Sequence, residues 1–187
     1  MNRLKQLLKN KKGSFSILFV ILIFIGVMMV TAFVDILIES WSMQEVQSVM
    51  DTSGVSALRA SVDETKLRIG EFDVEKNVAI SEYKKLVSMR LKDTKKIKSV
   101  HFNPIEIESF TEKWGTGETK KARPQVLLDS SVVIVVSGST IFDLIPGTAE
   151  KFYNSRRGSD FEVSYLGTNN DGNIELAVRS VSRLVYR

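Results

Sequence analysis

Few side chains in this chain are of a kind that does chemistry. There is one histidine, His101, and no cysteine. A disulfide framework and thiolate catalysis are therefore both excluded. A metal centre, or a triad built on His101, needs companions gathered in space, and no Gly-x-Ser-x-Gly elbow stands in the sequence to supply a nucleophile. Glu106 and Glu108 are two apart, so on a strand they share one face; carboxylates so placed are ordinarily the wet side of a sheet. Residues 168–173, TNNDGN, crowd oxygen ligands into a turn, but Gly172 is wrongly placed for an EF-hand calcium loop. The run GTGETKK lacks the spacing of a phosphate-binding loop. The expectation is a chain that is not an enzyme, with no catalytic residue, no metal ligand and no cofactor.

The elements that would position these residues begin with one long stretch, residues 15–60. Residues 15–34 carry no charge, and their only polar side chains are Ser16 and Thr31. About 20 such residues in a helix match a hydrocarbon core of about 30 Å. A transmembrane helix is expected over residues 15–38, with Ile17, Val20, Phe24 and Val27 facing lipid or other subunits and Asp35 at the outer edge. There Asp35 would face water or headgroups, or pair with a neighbour's cation in an array.

Charge gives the orientation. Arg3, Lys5, Lys9, Lys11 and Lys12 precede the apolar run and no acidic residue does. The other 21 basic residues stand against 22 acidic ones, so the net charge of +4 comes from that flank. No nucleic-acid-binding face is expected. The positive-inside rule places residues 1–14 in the cytoplasm and residues 39–187 outside, in the cell membrane. Val30-Thr31-Ala32 also satisfies a signal peptidase, which would leave Phe33 as the first residue of a secreted domain. A charge placed at Val27 or Met28 should abolish membrane retention or assembly.

Beyond the membrane the helix turns amphipathic. Ile36, Met43, Met50 and Ala57 are seven apart, with Val46 and Ala60 on the next ridge and Glu39, Gln44, Glu45, Gln47, Ser48 and Asp51 mostly off the stripe. Gly54 costs about 1 kcal/mol in mid-helix relative to Ala. With Ser53, Ser56 and Ala57 it makes a small surface for close approach.

The basic flank, Gly13, the apolar run, Asp35, the segment from Gln47 to Asp51 and the segment from Ala57 to Ala60 together resemble the TadE/TadG-like proteins, pilin-like subunits of tight-adherence (Flp) pilus systems. The resemblance covers about the first third of the chain. It implies Gly13 and Ser14 as a processing site, and Gln47, Asp51, Ala57 and Ala60 as the family-like helix motif. It implies as partners the lipid bilayer, other pilin-like subunits and a membrane assembly platform. The chain departs from the prepilin pattern at Leu18, the fifth residue after Gly13, where prepilins carry glutamate.

The remainder predicts α+β. Residues 61–72 read as a junction turning at Gly70. A second helix follows, capped by Asp73, with Val74, Val78, Tyr83, Leu86 (or Val87) and Leu91 on its face. The run KDTKKIK is a solvated helix end or a contact for anionic lipid or cell-wall polymer. A strand bent by Pro104 carries Val100, Phe102, Ile105, Ile107 and Phe110, and residues 111–125 form a polar loop. Residues 132–136 are β-branched without interruption, which predicts a central strand covered on both faces. Pro146-Gly147 marks a turn beside one short helix. The chain closes with a hairpin whose Asp171-Gly172 pair suggests a type I′ turn. About four to six strands are expected in one antiparallel sheet, with both helices packed on it in a pilin-like layout. The exposed loops at residues 92–98 and 111–125 are the candidate binding surfaces. The function expected is a non-enzymatic, single-pass minor pilin or pseudopilin of a Tad/Flp-type pilus or a related secretion or conjugation machine. The alternative is a membrane-tethered binding or accessory domain that forms no filament.

Overall fold

The computed structural model describes residues 11–94, 96–114, 121–138, 142 and 147–186, without the side chains of 11–16, 114, 121 and 122. The elements in order are α1 (Lys11–Ala60), α2 (Glu64–Arg68), α3 (Lys76–Lys92), β1 (Ile97–Phe102), β2 (Glu106–Trp114), β3 (Lys121–Val136), α4 (Thr148–Asn154), β4 (Phe161–Thr168) and β5 (Ile174–Val185). The expected α+β class and antiparallel sheet are both present. The chain divides into two compact units, Met1–Trp41 and Ser42–Arg187.

All three prolines lie beyond α1, at 104, 124 and 146. Nothing therefore interrupts its hydrogen-bond ladder. Within Ser42–Arg187, α1 buries Met43, Val46, Met50, Ser53, Gly54, Ala57 and Leu58. Glu39, Met43, Val46, Met50 and Ala57 follow the spacing of one helical stripe. Two expected members fall off it, since Ile36 and Ala60 are exposed, and Glu39, expected on the polar side, is fully buried.

The loop after α1 is more ordered than a plain junction. Asp63 caps α2 by accepting from the backbone N–H groups of Thr65 (3.0 Å) and Lys66 (3.1 Å). Gly70 takes φ +87° to turn the chain back. Val62 and Val74 then bridge, and Glu75 N–H donates to the Ser61 carbonyl at 2.8 Å. The loop is thus tied at its base.

Asp73 does not cap α3. The residue before that helix is Glu75, whose side chain makes no capping bond. The buried face of α3 is Ala79, Tyr83, Val87 and Leu91, a strict four-residue repeat. Val78 is exposed and Leu86 only half-buried, so the expected face was rotated by one residue at its start.

The sheet has the order β1–β3–β5–β4, with β2 also paired to β3. Every pairing is antiparallel. Asn103, Pro104 and Ile105 break what sequence suggested was one bent strand into β1 and β2, which share one edge of β3 in succession. Proline lacks the donor a ladder needs, so the break falls where it stands. The expected polar loop at 111–125 is mostly strand. β2 runs to Trp114 and β3 begins at Lys121, leaving residues 115–120 outside those described.

β3 is central, as expected, but it is covered on one face only. Val126, Leu128, Ser130, Val132, Ile134 and Val136 are buried, while Leu127, Asp129, Ser131, Val133 and Val135 are half-exposed. An unbroken run of valine and isoleucine cannot announce this. β-branched residues suit a half-wet pleated surface as well as a buried one. On the covered face the core joins α1, α3, β3 and β5, with Phe142, Phe152 and Tyr153 clustered by α4.

The terminal hairpin is built differently from expectation. Gly172 N–H donates to Asn169 O at 3.0 Å, and Gly172 alone in the turn has positive φ, at +75°. A type I′ turn needs positive φ at two central residues. Here Asn170 and Asp171 keep ordinary φ and the glycine takes the left-handed position after a type I turn. Pro146 lies outside the described residues. Gly147, at φ +78°, precedes α4, the expected short helix.

Candidate functional site

In the first unit the side chains of residues 17–34 make an apolar rod. Val20, Phe24 and Val27 are 62%, 65% and 56% exposed, and Ile17 also lies open. A helix bare on every side, and apolar on every side, has no aqueous partner to hide against. One helix here is long and apolar enough to cross a membrane, and the 18-residue apolar window on it is not buried at all. The one hydroxyl described inside it is satisfied locally: Thr31 Oγ1 donates to Val27 O (3.2 Å) and Met28 O (2.9 Å). In hydrocarbon a polar group must find such a partner within its own chain. Asp35 is half-buried and Trp41 exposed. Trp41 was missed by the sequence reasoning. Its signal was available, because an indole three residues past the expected span of 15–38 suits the interface between lipid and water. The backbone of Gly13 and Ser14 lies in α1, and their side chains are outside those described.

Burial of Glu39 is the larger omission. A carboxylate is costly to bury unless it is engaged, and Glu39 is engaged rather than free.

In the second unit the motif residues of α1 meet the sheet. Ser180 Oγ donates to Asp51 Oδ1 at 2.6 Å. Tyr83 OH and Ser130 Oγ lie 2.7 Å apart, and Ser130 Oγ reaches Ser180 O at 3.2 Å. Burial pushes the Tyr83 phenol up to about 12, against the opposing pull of its bond to Ser130 and with a smaller push from Asp51. At neutral pH it is a neutral phenol that ties α3 to β3 through Ser130. Ala57 is buried on the same face, Gln47 is half-buried and Ala60 exposed at the helix end. Asp51 and Ala57 thus make contacts within the domain, Asp51 through Ser180, while Ala60 is exposed.

A second polar cluster joins the loop of residues 61–75 to β2. Asp73 accepts from Lys66 Nζ and Ser109 Oγ, both at 2.5 Å. Those two bonds, Lys66 first, hold its carboxyl down at about 2 against the upward push of burial. Phe72 stacks on Tyr186 beside it, with centroids 5.2 Å apart. A depressed carboxylate contributes stability above its unfolded pKa, near 4, and loses it as pH falls through the folded value. The loop is expected to loosen between about pH 4 and pH 2, and Asp73→Asn should abolish that transition. Hydrogen exchange at the amides of residues 61–75, followed against pH, checks this.

The other sequence candidates do not converge. His101 is exposed on β1, opposite Val133. Glu106 and Glu108 are exposed on β2, with Glu106 opposite Asp129. In the 168–173 turn, Asn169 Oδ1 already accepts from Asp171 N and Asn173 N, both at 3.0 Å. Among the described residues no group of three or more His, Asp or Glu side chains is placed to hold a metal ion. The arrangement offers an anchor, a stiff helix and polar clamps. No family model, no characterised protein and no solved structure matches the chain.

Proposed function

We propose that this chain is a non-enzymatic, single-pass, pilin-like subunit of a Tad/Flp-type pilus or a related secretion or conjugation machine. The observation that carries the proposal is the apolar rod of α1, bare on all sides, in a helix that continues unbroken into a stripe of core residues. Before assembly the rod sits in the bilayer, with its basic flank in the cytoplasm and the α+β domain outside. After assembly it packs against the rods of other subunits. The α+β class with an antiparallel sheet, and the core that joins α1 and α3 to β3 and β5, support this reading.

Shearing the cell surface tests this. Sheared filaments should contain the protein, and its absence from them would sink the filament role. The first residue of the mature protein decides its processing. Met1 or Asn2 means an uncleaved anchor, Ser14 means prepilin cleavage, and Phe33 means a secreted domain. In the same filaments His101→Ala is expected to leave the protein's amount unchanged; loss of an activity with assembly intact would make the protein an enzyme instead.

One observation favours the second reading, a tethered binding or accessory domain. Residues 42–187 enclose a full set of buried apolar side chains of their own. A domain so closed requires no neighbouring subunit to fold. In that case the protein stays in the membrane fraction after shearing.

A further inference from the structure

The edges of the sheet are treated unequally. Along β4 the outward backbone groups are already used: Val163 N–H donates to Arg156 O, Tyr165 N–H to Asn154 Oδ1, and Gly158 N–H to Phe161 O. The segment 154–158 seals that edge. β1 and β4 each carry a register shift, which spoils an edge as a template. β2 has neither protection. It pairs with β3 through nine consecutive residues without a shift, and of residues 106–113 only Ile107 is buried. Among the described residues, no backbone bond seals the outward edge of 106–111.

A long, flat, open edge is a template for another strand. The side chains on it say what kind. Glu106, Glu108, Phe110 and Glu112 alternate on one face, and Gln125 Nε2 already donates to Glu112 at 2.6 Å, which leaves Glu106 and Glu108 as the acids of the edge. The nearby Asp129 is taken by Arg179, through Nε at 3.0 Å and the guanidinium tip at 2.5 Å. Among the described residues no ion pair holds Glu106 or Glu108. On the other side of the edge, Phe72, Asp73, Ser109, Thr111 and Pro124 line an open groove of about 330 Å³. Of the two acids that line it, Asp73 is engaged by Lys66 and Ser109, and Glu71 is exposed.

We propose that β2 is a docking edge for an extended, basic segment of a partner polypeptide, which adds to the sheet as a further strand. Its main chain pairs with the outward groups of β2. Lysine or arginine at alternate positions opposes Glu106 and Glu108, and the apolar residues between them face the groove beside Phe72 and Pro124. A second copy of this chain is the poorer occupant. Pairing two β2 edges sets the glutamates of one against those of the other, and like charges directly opposite are destabilising.

The test uses the full-length protein in detergent micelles and a labelled peptide of alternating lysine and valine. Binding is followed by fluorescence anisotropy, with hydrogen exchange at the β2 amides as the second readout. The lysine–valine peptide should bind and slow exchange in residues 106–113. The double variant Glu106→Lys, Glu108→Lys should weaken it by about tenfold or more. A glutamate–valine peptide, or the basic peptide with proline at its centre, should not bind. Equal binding of the acidic peptide, binding unchanged by the double variant, binding without protection of β2, or no binding at all would each overturn the proposal. The last is the result expected if the glutamates only guard the edge against association.

Discussion

Replacing Val27 and Met28 together by aspartate is expected to release the protein from the membrane fraction. The magnitudes explain why two charges are specified. The thirteen Ile, Leu, Phe and Val residues from Ile17 to Val34 favour insertion by about 0.3–0.6 kcal/mol each, about 4–8 kcal/mol together. One aspartate at the centre of a span costs about 2.5–3.5 kcal/mol and leaves a net gain. Two adjacent ones bring the sum near zero. The single variant Val27→Asp should therefore stay in the membrane fraction while losing close packing with its neighbours. A control is Val78→Asp, an equal charge change at an exposed site on α3. Alkaline carbonate extraction separates the outcomes. If the double variant remained membrane-bound while the control behaved as wild type, the rod would not be the anchor.

The second large effect is at Gly54, where two physical trends oppose each other. Replacing a mid-helix glycine by alanine favours the helix by about 1 kcal/mol. Against this, a Cβ built on Gly54 would stand 2.6 Å from Ser182 Cβ and closer still to its hydroxyl oxygen. The oxygen can rotate away; the Ser182 Cβ is fixed to β5 and cannot. The helix must lift from the sheet, and an approach this close falls in the upper part of the about 1–3 kcal/mol that overpacking costs, leaving a net loss of about 1–2 kcal/mol. Gly54→Ala is therefore expected to be destabilising, lowering the melting temperature by about 2–8 °C. Ser182→Gly should restore most of the loss, because it removes the obstructing carbon. Ser182→Ala should not, because it keeps it. Thermal melts of the detergent-solubilised chain check all three, and a neutral or stabilising Gly54→Ala would refute the close approach.

The sequence was informative wherever structure is written in short-range spacing. Met43, Met50 and Ala57 repeat every seven residues, and the structure buries all three. The small surface around Gly54 was legible for the same reason, since glycine and serine on one ridge permit contact that larger residues forbid. Missed features share the opposite property. Asp51 and Ser180 are 129 positions apart, and no local pattern joins them. Asp73 looked like a helix cap because it stands just before α3; its partners Lys66 and Ser109 come from helix α2 and strand β2 on either side of it.

By itself, then, the sequence determined the unbroken helix, its apolar half, the charge on its flank and the α+β class. Each of these follows from composition or from periodicities of two and 3.6 residues, which act within a few turns or a few strand residues. Tertiary structure decided which face of β3 is covered, which acid on α1 is buried, and which sheet edge is sealed. Sidedness in a sheet depends on what else packs there, and that is set by segments far away in the chain. The value of an ion pair likewise depends on a partner's position and the water left around it. The apolar character of residues 17–34 could be read one residue at a time, whereas the contrast between the edge of β4, sealed by segment 154–158, and the edge of β2 is a property of the fold alone.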